Sequence, residues 1–314
     1  MPERAGGDGG SAPGATAQTR CGFVVLIGAP NVGKSTLINA LVGTKVAIVS
    51  HKAQTTRALL RGIAIVDGSQ LVFIDTPGIF APKRRLDRAM VTTAWSGVDD
   101  SDIAAVVIDA KRGLDEEAGA MLERLSTVAR AKLLLINKVD LVEKPALLEI
   151  AKAANARTNF ATTFMISALT GDGVADVKCW LAEHVPEGPW HYPADQITDA
   201  PLRQLASEIT REKLYLRLHQ ELPYQSTVET DTWKELKDGS TRIEQTIYVE
   251  RESQRKIVLG KGGQTIRAIG ADARREIADM VEGPVHLFLF VKVRERWGED
   301  PERYRGMGLE FPGD

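Results

Sequence analysis

Short apolar runs alternate with polar, glycine-bearing segments through the first part of the chain. A helix-compatible run at 36–42 follows the first of them. Buried strands with helices between them form a mostly parallel sheet, and ligands bind at the carboxyl ends of its strands. The runs with the length of such strands lie at residues 23–27, 71–74, 131–136 and 160–166. The polar residues that follow each run are therefore candidate ligand-binding residues.

The pattern changes after residue 201. Leucine and isoleucine at helical spacing predict a long helix at 202–222. Two strands follow, joined by a turn at Asp238-Gly239, and then come a helix, a glycine-rich loop, a second helix through Met280 and a final strand. The predicted strands lie at 226–237, 242–251 and 285–293. This order of elements predicts a second domain of the α+β class.

The segment after the first strand reads GAPNVGKS at residues 28–35. Between a strand and a helix it predicts a phosphate-binding P-loop, because backbone N–H groups at a helix N-terminus point at phosphate oxygens. We expect Lys34 to reach the β- and γ-phosphates and the Ser35 hydroxyl to complete a Mg²⁺ shell. The predicted nucleotide-binding residues here are Gly28, Asn31, Val32, Gly33, Lys34, Ser35 and Thr36.

The second strand ends in the residues DTPG at 75–78. Asp75 emerges at the carboxyl end of the strand, and we expect it to bind Mg²⁺ through water. Gly78 has no side chain to obstruct the γ-phosphate, so its N–H is expected to contact that group and report its presence. Both residues are predicted nucleotide-binding and catalytic residues, together with Lys34.

The strand at 131–136 is followed by the residues NKVD. A carboxylate accepts two hydrogen bonds from guanine, whose ring N–H and exocyclic amine form a donor pair that adenine lacks. We therefore expect Asp140 to select guanine, which argues against an ATPase. Asn137 is expected to brace the loop, and the Lys138 stem is expected to lie across the purine. After the strand at 160–166, Ser167 and Ala168 are expected to close over the base.

These motifs, in this order, resemble those of the Ras-like, translation-factor-related GTPases over residues 21–185. The resemblance implies a mobile switch loop at 50–57 in which a threonine binds Mg²⁺ only when GTP is present. Thr56 is the predicted metal-binding and catalytic residue, with Thr55 as the alternative. The chain departs from Ras at Ile79, which stands where Ras-like enzymes carry the glutamine that orients water. We therefore expect slow unaided hydrolysis, or help from a partner, another loop or an ion.

Asn31 has two open interpretations. An asparagine at this position of the P-loop resembles the potassium-activated GTPases, in which it binds a monovalent cation beside the phosphates. That resemblance adds K⁺ to the expected cofactors, which are GTP or GDP and Mg²⁺. Asparagine also suits a tight turn for purely structural reasons.

The glycine-rich loop of the second domain reads GKGG at 260–263, between two predicted helices. This arrangement is typical of a type II KH domain, which clamps about four nucleotides of single-stranded nucleic acid. Seven Lys or Arg residues stand against three acids between Arg251 and Glu276, in a chain whose net charge is −2. The predicted RNA-binding residues are Gly260, Lys261, Gly262, Gly263, Val258, Ile266 and Arg267.

One GTPase domain followed by one type II KH domain resembles the Era family of bacterial GTPases. The expected fold class is an α/β, Ras-like P-loop GTPase domain with a mostly parallel sheet, followed by an α+β type II KH domain. The resemblance implies a GTP-hydrolysing switch that binds small-subunit ribosomal RNA near its 3′ end and assists maturation of the small ribosomal subunit. It also implies peripheral association with the cytoplasmic face of the inner membrane. The predicted parts are a disordered tail at 1–20, the GTPase domain at 21–185, a linker at 186–201, the KH domain at 202–298 and a surface extension at 299–314.

Length and composition agree with two domains, because 314 residues with 43% apolar content allow each to bury a core. No apolar run reaches membrane-spanning length, and two cysteines outside any metal-ligand pattern indicate a reducing cytoplasm. We expect a monomer. Two alternatives remain: an RNA-binding scaffold in which nucleotide only stabilises the fold, and a GTPase whose second domain binds protein or membrane.

Overall fold

The computed structural model describes residues 19–52, 55–57, 59–218 and 222–312. Most of the predicted tail at 1–20 lies outside these ranges, and so does part of the switch loop, at positions 53 and 54.

The first half of the chain forms a six-stranded sheet in the order β2-β3-β1-β4-β5-β6. The strands are β1 (Arg20–Ile27), β2 (Leu60–Val66), β3 (Ser69–Asp75), β4 (Ile103–Asp109), β5 (Ala131–Asn137) and β6 (Thr162–Ile166). All neighbouring pairs are parallel except β2 and β3, which are antiparallel. The prediction of a mostly parallel sheet is confirmed.

Helices cover both faces of this sheet. They are α1 (Lys34–Val42), α2 (Arg85–Asp99), α3 (Glu116–Ser126), α4 (Lys144–Asn155) and α5 (Val174–His184). Successive residues of β1 point to opposite faces, so Val24 and Leu26 pack with α1 and α5 while Val25 and Ile27 pack with α2 and α3. Burial on both faces explains why the central strands read as continuous apolar runs.

The second half contains a three-stranded sheet in the order β7-β8-β9 with helices packed against it. Its elements are α6 (Leu202–Arg217), β7 (Ser226–Glu235), β8 (Thr241–Val249), α7 (Glu252–Leu259), α8 (Gln264–Met280) and β9 (Val285–Val293). β8 pairs antiparallel with β7 and parallel with β9. The predicted order of elements is confirmed, and the predicted bounds of the last strand are those observed.

The segment expected to be a linker contacts two strands of the first sheet, the central β1 and the edge strand β2. Glu187 bridges to Arg20 of β1, and Thr198 bridges to Gly62 of β2. The main-chain N–H of Ile63 also donates to the carbonyl of Ile197 at 2.8 Å. This segment is therefore bound to the nucleotide-site sheet by backbone hydrogen bonds.

The C-terminal residues are packed, and the prediction of a surface extension is wrong for them. A 3₁₀ turn at Trp297–Glu299 is followed by α9 (Pro301–Gly306). Tyr304 and Leu309 are buried against Ala89 and Met90 of α2. The sequence showed no periodicity here because the apolar residues lie in a short helix and a turn.

Among the helices of the described residues, none is long and apolar enough to cross a bilayer.

Candidate functional site

The P-loop follows β1 and leads into α1. Its main chain takes left-handed values at Asn31, with φ 64°, and at Gly33, with φ 99°. A Cβ at Gly33 would lie 2.3 Å from the Nδ2 of Asn137, so only glycine fits this close approach. The turn therefore brings the start of α1 against the residues that follow β5.

Lys34 lies buried in the turn of the P-loop. Its Nζ donates to the carbonyl oxygens of Gly28 at 3.1 Å and Ala29 at 3.0 Å. Burial lowers the pKa of Lys34 to about 8, and the nearby Asp75 carboxylate opposes that shift. The ammonium is thus held where the P-loop backbone would meet phosphate oxygens.

Three oxygen-bearing side chains converge at the end of β3. The Ser35 Oγ donates to the Oδ2 of Asp75 at 2.8 Å, the Thr56 Oγ1 donates to the same oxygen at 3.1 Å, and the two hydroxyls lie 2.9 Å apart. Asp75 is fully buried, and burial raises the pKa of its carboxyl group against the opposing effects of Lys34 and the hydroxyls. Its Oδ1 has no hydrogen-bond partner among the described residues. Oxygen ligands are those that Mg²⁺ prefers, so these residues fit the ion.

The geometry favours Thr56 over Thr55 as the metal-binding threonine. The Thr55 hydroxyl lies 2.8 Å from the Ser50 Oγ and donates to the Lys52 carbonyl at 2.8 Å. It is thus engaged within the switch loop, whereas Thr56 turns towards Asp75.

Asn137 connects three loops of the candidate guanine site. Its Nδ2 donates to the Val32 carbonyl at 2.8 Å, and its Oδ1 accepts the N–H of Ala168 at 2.9 Å. Asn137 is buried, as is Ser167 beside Ala168. The bracing role predicted for Asn137 therefore has a direct geometric basis.

These segments enclose a cavity of about 480 Å³. Asp140 lines it, in a 3₁₀ turn at Val139–Leu141. Three predicted residues, Gly28, Val32 and Asp75, lie behind the wall and act through hydrogen bonds to residues that line it. The predicted residues that line the cavity are Asn31, Gly33, Lys34, Ser35, Thr36, Thr56, Gly78, Asn137, Lys138, Asp140, Ser167 and Ala168.

The glycine-rich loop of the second half joins α7 to α8. Positive φ values at Gly260 (72°), Gly262 (59°) and Gly263 (76°) explain why glycine occupies these three positions. A Cβ at Gly260 would lie 2.2 Å from the Thr265 Oγ1. Lys261 is exposed at the tip of the loop. The loop therefore presents backbone and one cation to solvent, as binding of a phosphodiester chain requires.

A groove of about 420 Å³ lies between α8 and β9. Ile266 and Arg267 line it as predicted, whereas Val258 does not. Val258 is fully buried in the core, so it supports α7 from within and presents no surface to RNA, which corrects its predicted contact. The groove also contains residues that the sequence did not single out: Gly270, Ala271, Arg274, Leu287, Phe288, Leu289 and Phe290.

Comparison with known proteins identifies both halves of the chain. Residues 23–138 match the family described as 50S ribosome-binding GTPase, and residues 221–298 match the KH domain. The chain is 69% identical to the GTPase Era of Bradyrhizobium sp. strain BTAi1 over 95% of its own length and 97% of the relative. It is 66% identical to the GTPase Era of Brucella suis, over 94% of this chain and 95% of that one.

The chain belongs to the Era family of GTPases.

Solved Era structures share its fold over nearly the whole chain. An Era in complex with MgGDPNP and nucleotides 1506–1542 of 16S ribosomal RNA aligns with a TM-score of 0.88 at 34% identity, covering 92% of this chain and 99% of that one. Era of Aquifex aeolicus bound to GDP·AlF₄⁻ aligns with the same score, identity and coverage. The two halves of this Era family member therefore have the fold of these solved relatives.

The residues that follow β3 pack closely on the P-loop and the core, and none of residues 76–79 is a glutamine that could orient water. A Cβ at Gly78 would lie 2.8 Å from the Cα of Pro30, so Gly78 packs directly on the P-loop. The Ile79 N–H donates to the Gly28 carbonyl at 3.0 Å, and its side chain packs against the core beneath α2. In this Era family member the Ile79 side chain therefore contributes to packing, and it carries no polar group that could orient a water molecule.

Asp109 is a residue of the site that the sequence analysis missed. It ends β4 and lies beside β5, and its Oδ2 accepts a hydrogen bond from the Nζ of Lys138 at 2.6 Å. The same Nζ donates to the Asn31 carbonyl at 2.6 Å. The available signal was a carboxylate at the end of a buried strand, the same signal that identified Asp75.

Proposed function

We propose that this Era family member is a GTP-hydrolysing switch that binds small-subunit ribosomal RNA near its 3′ end and assists maturation of the small ribosomal subunit. One observation carries the proposal. A single chain combines a pocket in which Ser35, Thr56 and Asp75 converge with an exposed glycine loop that borders a groove.

The nucleotide is held by groups that differ in their tasks. The P-loop backbone and Lys34 would bind the β- and γ-phosphates, and the Asp140 carboxylate would accept the two guanine donors. Ser35 and Thr56 would hold Mg²⁺ directly and Asp75 through water. When bound, Mg²⁺ neutralises negative charge on the phosphates. Lys34 adds a fixed positive charge in a buried site, where it stabilises the transferring phosphoryl group more than it would in water.

The switch would act through two segments that lie beside the expected position of the γ-phosphate. Thr56 reaches the metal site from the switch loop, and Gly78 lies against the P-loop. GTP would order both segments, and hydrolysis would release them. If RNA and GTP each stabilise the same state, linkage requires them to strengthen each other's binding by the same factor.

The RNA would lie along the glycine loop and the groove between α8 and β9. Lys261 would neutralise a phosphate, and the groove side of α8 adds Arg267 and Arg274. Phe288 and Phe290 remain 43% and 49% exposed. The Arg242 guanidinium lies 4.7 Å from the centre of the Phe288 ring, so Phe290 is the aromatic side chain that would stack with a base. The Era solved with a 16S ribosomal RNA fragment supports the choice of ribosomal RNA over other single strands.

Potassium activation is a finer proposal that concerns Asn31. Its Nδ2 donates to the His51 carbonyl at 3.1 Å, so the asparagine joins the P-loop to the switch loop beside the phosphate pocket. A cation there would supply positive charge beside the phosphates, which the apolar Ile79 side chain cannot provide. Equal turnover in sodium and potassium buffers would contradict this role. The monomeric state, the cytoplasmic location and the peripheral association with the inner membrane stay predictions.

The first experiment measures steady-state GTP hydrolysis in potassium buffer, with and without a single-stranded RNA from the 3′ end of small-subunit ribosomal RNA. Lys34→Ala is the control that removes the phosphate-binding ammonium. We expect RNA to stimulate turnover and the stimulation to disappear in the variant. A turnover rate that RNA leaves unchanged would contradict the coupled switch. No turnover in either condition would favour the RNA-binding scaffold.

A further inference from the structure

Helix α6 of the second half contacts the main chain of the switch loop and of the residues just before it. The Nη2 of Arg211 donates to the Thr55 carbonyl at 2.5 Å. The Oε1 of Glu212 accepts the N–H of Val49 at 2.8 Å. Arg211 is 2% exposed and Glu212 is 3% exposed. Both bonds therefore lie in a contact that excludes water, where charged hydrogen bonds are stronger than at the surface.

Two cations of the switch loop reach back to the second half. Arg57 is buried, and its guanidinium donates to the Tyr215 hydroxyl at 2.9 Å and to the Ser226 carbonyl at 2.8 Å. The Nη2 that reaches Tyr215 also donates to the carbonyls of Pro223 at 3.2 Å and Tyr224 at 3.1 Å. The Nζ of Lys52 donates to the carbonyls of Tyr215 and Leu218. The segment at 49–57 is therefore held at positions 52 and 57 by its own side chains and at 49 and 55 by those of α6.

Thr56 lies between these anchors. Its neighbours on both sides, Thr55 and Arg57, are bound to the second half, while its own hydroxyl faces Ser35 and Asp75. A loop fixed on both sides of its functional residue loses less conformational entropy when that residue engages a ligand. Small displacements of such a residue are costly, since a misplacement of about 1 Å can lower a catalysed rate by roughly a hundredfold.

We propose that Arg211 and Glu212 of α6 are positioning residues for GTP hydrolysis, which hold the switch-loop main chain so that Thr56 stays at Ser35 and Asp75. The inference rests on the proposed GTPase function and deepens it. The second half then acts on the nucleotide site through the loop backbone, in addition to binding RNA.

An interface that merely holds two domains together would give the same contacts, and Glu276 separates the two cases. Lys45 bridges to Glu212 at 2.7 Å and to Glu276 at 2.5 Å, and Lys213 pairs with the same two acids. Glu276 thus shares the ion pairs of Glu212 but, among the residues of 49–57 that the structure describes, accepts no hydrogen bond from the main chain. Glu276→Gln is therefore a matched control for the loss of these ion pairs.

The test compares kcat, KM and GDP affinity for Arg211→Ala, Glu212→Ala, Glu276→Gln and the unaltered full-length chain. We expect the two alanine variants to lower kcat by at least about tenfold, because Thr56 is misplaced. GDP affinity should stay within about twofold, because Thr56 engages Mg²⁺ only with GTP. The conservative variants Arg211→Lys and Glu212→Gln retain a donor and an acceptor, so they should recover part of the loss.

Each outcome has a separate meaning. A fall in kcat that Glu276→Gln reproduces, or one that parallels lost GDP affinity and a lowered melting temperature, would overturn the positioning role. Unchanged kcat in both alanine variants would do the same. If the alanine variants do not fold, Arg211→Met and Glu212→Leu decide the question, because they keep side-chain bulk in the contact but lose the donor and the acceptor: kcat reduced at unchanged GDP affinity supports the role, and unreduced kcat overturns it. A chain that hydrolyses no GTP before any substitution would instead contradict the proposed function.

Discussion

The Nζ of Lys138 lies 2.6 Å from the Oδ2 of Asp109, a carboxylate that is 6% exposed. Asp109 ends β4 and Lys138 directly follows the end of the neighbouring parallel strand β5, since Asp109 pairs in register with Asn137. The pair fixes the end of the lysine side chain whose stem we expect to cover the guanine. A residue outside the recognised motifs thus helps to form the base site.

Asp109→Asn is expected to weaken GDP and GTP binding by roughly tenfold, because it removes a partly buried charge-assisted hydrogen bond to Lys138. kcat at saturating GTP should change little, since the γ-phosphate contacts are unaffected. Titration of a fluorescent GDP analogue measures the affinity. Asp99→Asn, an exposed carboxylate at the end of α2, is the control and should leave it unchanged.

Gly78→Ala should lower GTP hydrolysis by at least about tenfold while GDP affinity is retained. A Cβ at this position would lie 2.8 Å from the Pro30 main chain, so the segment after β3 has to move away from the P-loop. Gly188→Ala is the matched control, because Gly188 is only partly buried and nothing lies within 4 Å of its added Cβ. Single-turnover hydrolysis compares them, and equal rates for the two variants would contradict the γ-phosphate role of Gly78.

The stability of the contact between the halves should depend on pH through Glu212. Burial opposes its charge, but hydrogen bonds from Lys213, Lys45 and the Val49 N–H outweigh burial, so its pKa is lowered from 4.5. A lowered folded-state pKa stabilises the fold above the unfolded value and loses that contribution as pH falls through the folded value. Glu212→Gln should therefore be less stable to urea than the unaltered chain at pH 7. The difference should shrink below about pH 4.5, and a constant difference would contradict this assignment.

The nucleotide motifs were predictable because each has a local cause. A glycine-bearing turn between a strand and a helix can be identified from adjacent residues, and so can a carboxylate at a strand end. The bounds of β9 were predicted for the same reason, because its apolar run is interrupted clearly on both sides.

Contacts between distant parts of the chain left no such signal. The residue type and the polar neighbours of Arg57 predict a solvated loop cation. It is buried because Tyr215, far along the chain, lies over it. The position of Val258 beside the glycine-rich loop predicts a groove residue, but the packing of α7 points its side chain into the core. The burial of Tyr304 depends on α2, which no local pattern near residue 304 indicates. Tertiary packing decided all three.

Replacing both Lys261 and Gly262 by Asp should abolish specific RNA binding, because two carboxylates at the loop tip repel the phosphodiester chain. The fold should persist, since Asp tolerates the φ of 59° at Gly262 and nothing lies within 4 Å of its added Cβ. Fluorescence anisotropy with a labelled single-stranded RNA measures binding. Lys152→Asp on α4 exchanges one exposed charge far from the loop, and it should bind RNA as the unaltered chain does.

Tyr304→Ala is expected to destabilise the protein by about 3 kcal/mol, because it removes an aromatic side chain that is 1% exposed. Tyr304→Phe separates packing from hydrogen bonding. It loses only the hydroxyl bond to the Gly298 carbonyl, at 2.6 Å, and should cost about 1 kcal/mol. Urea unfolding measures both. Because Tyr304 packs on Ala89 and Met90 of α2, the alanine variant should also increase amide hydrogen exchange in α2, the helix that follows Gly78. Unchanged exchange in α2 would mean that the C-terminal segment stabilises only itself, and the second half would then reach the nucleotide site through the switch loop alone.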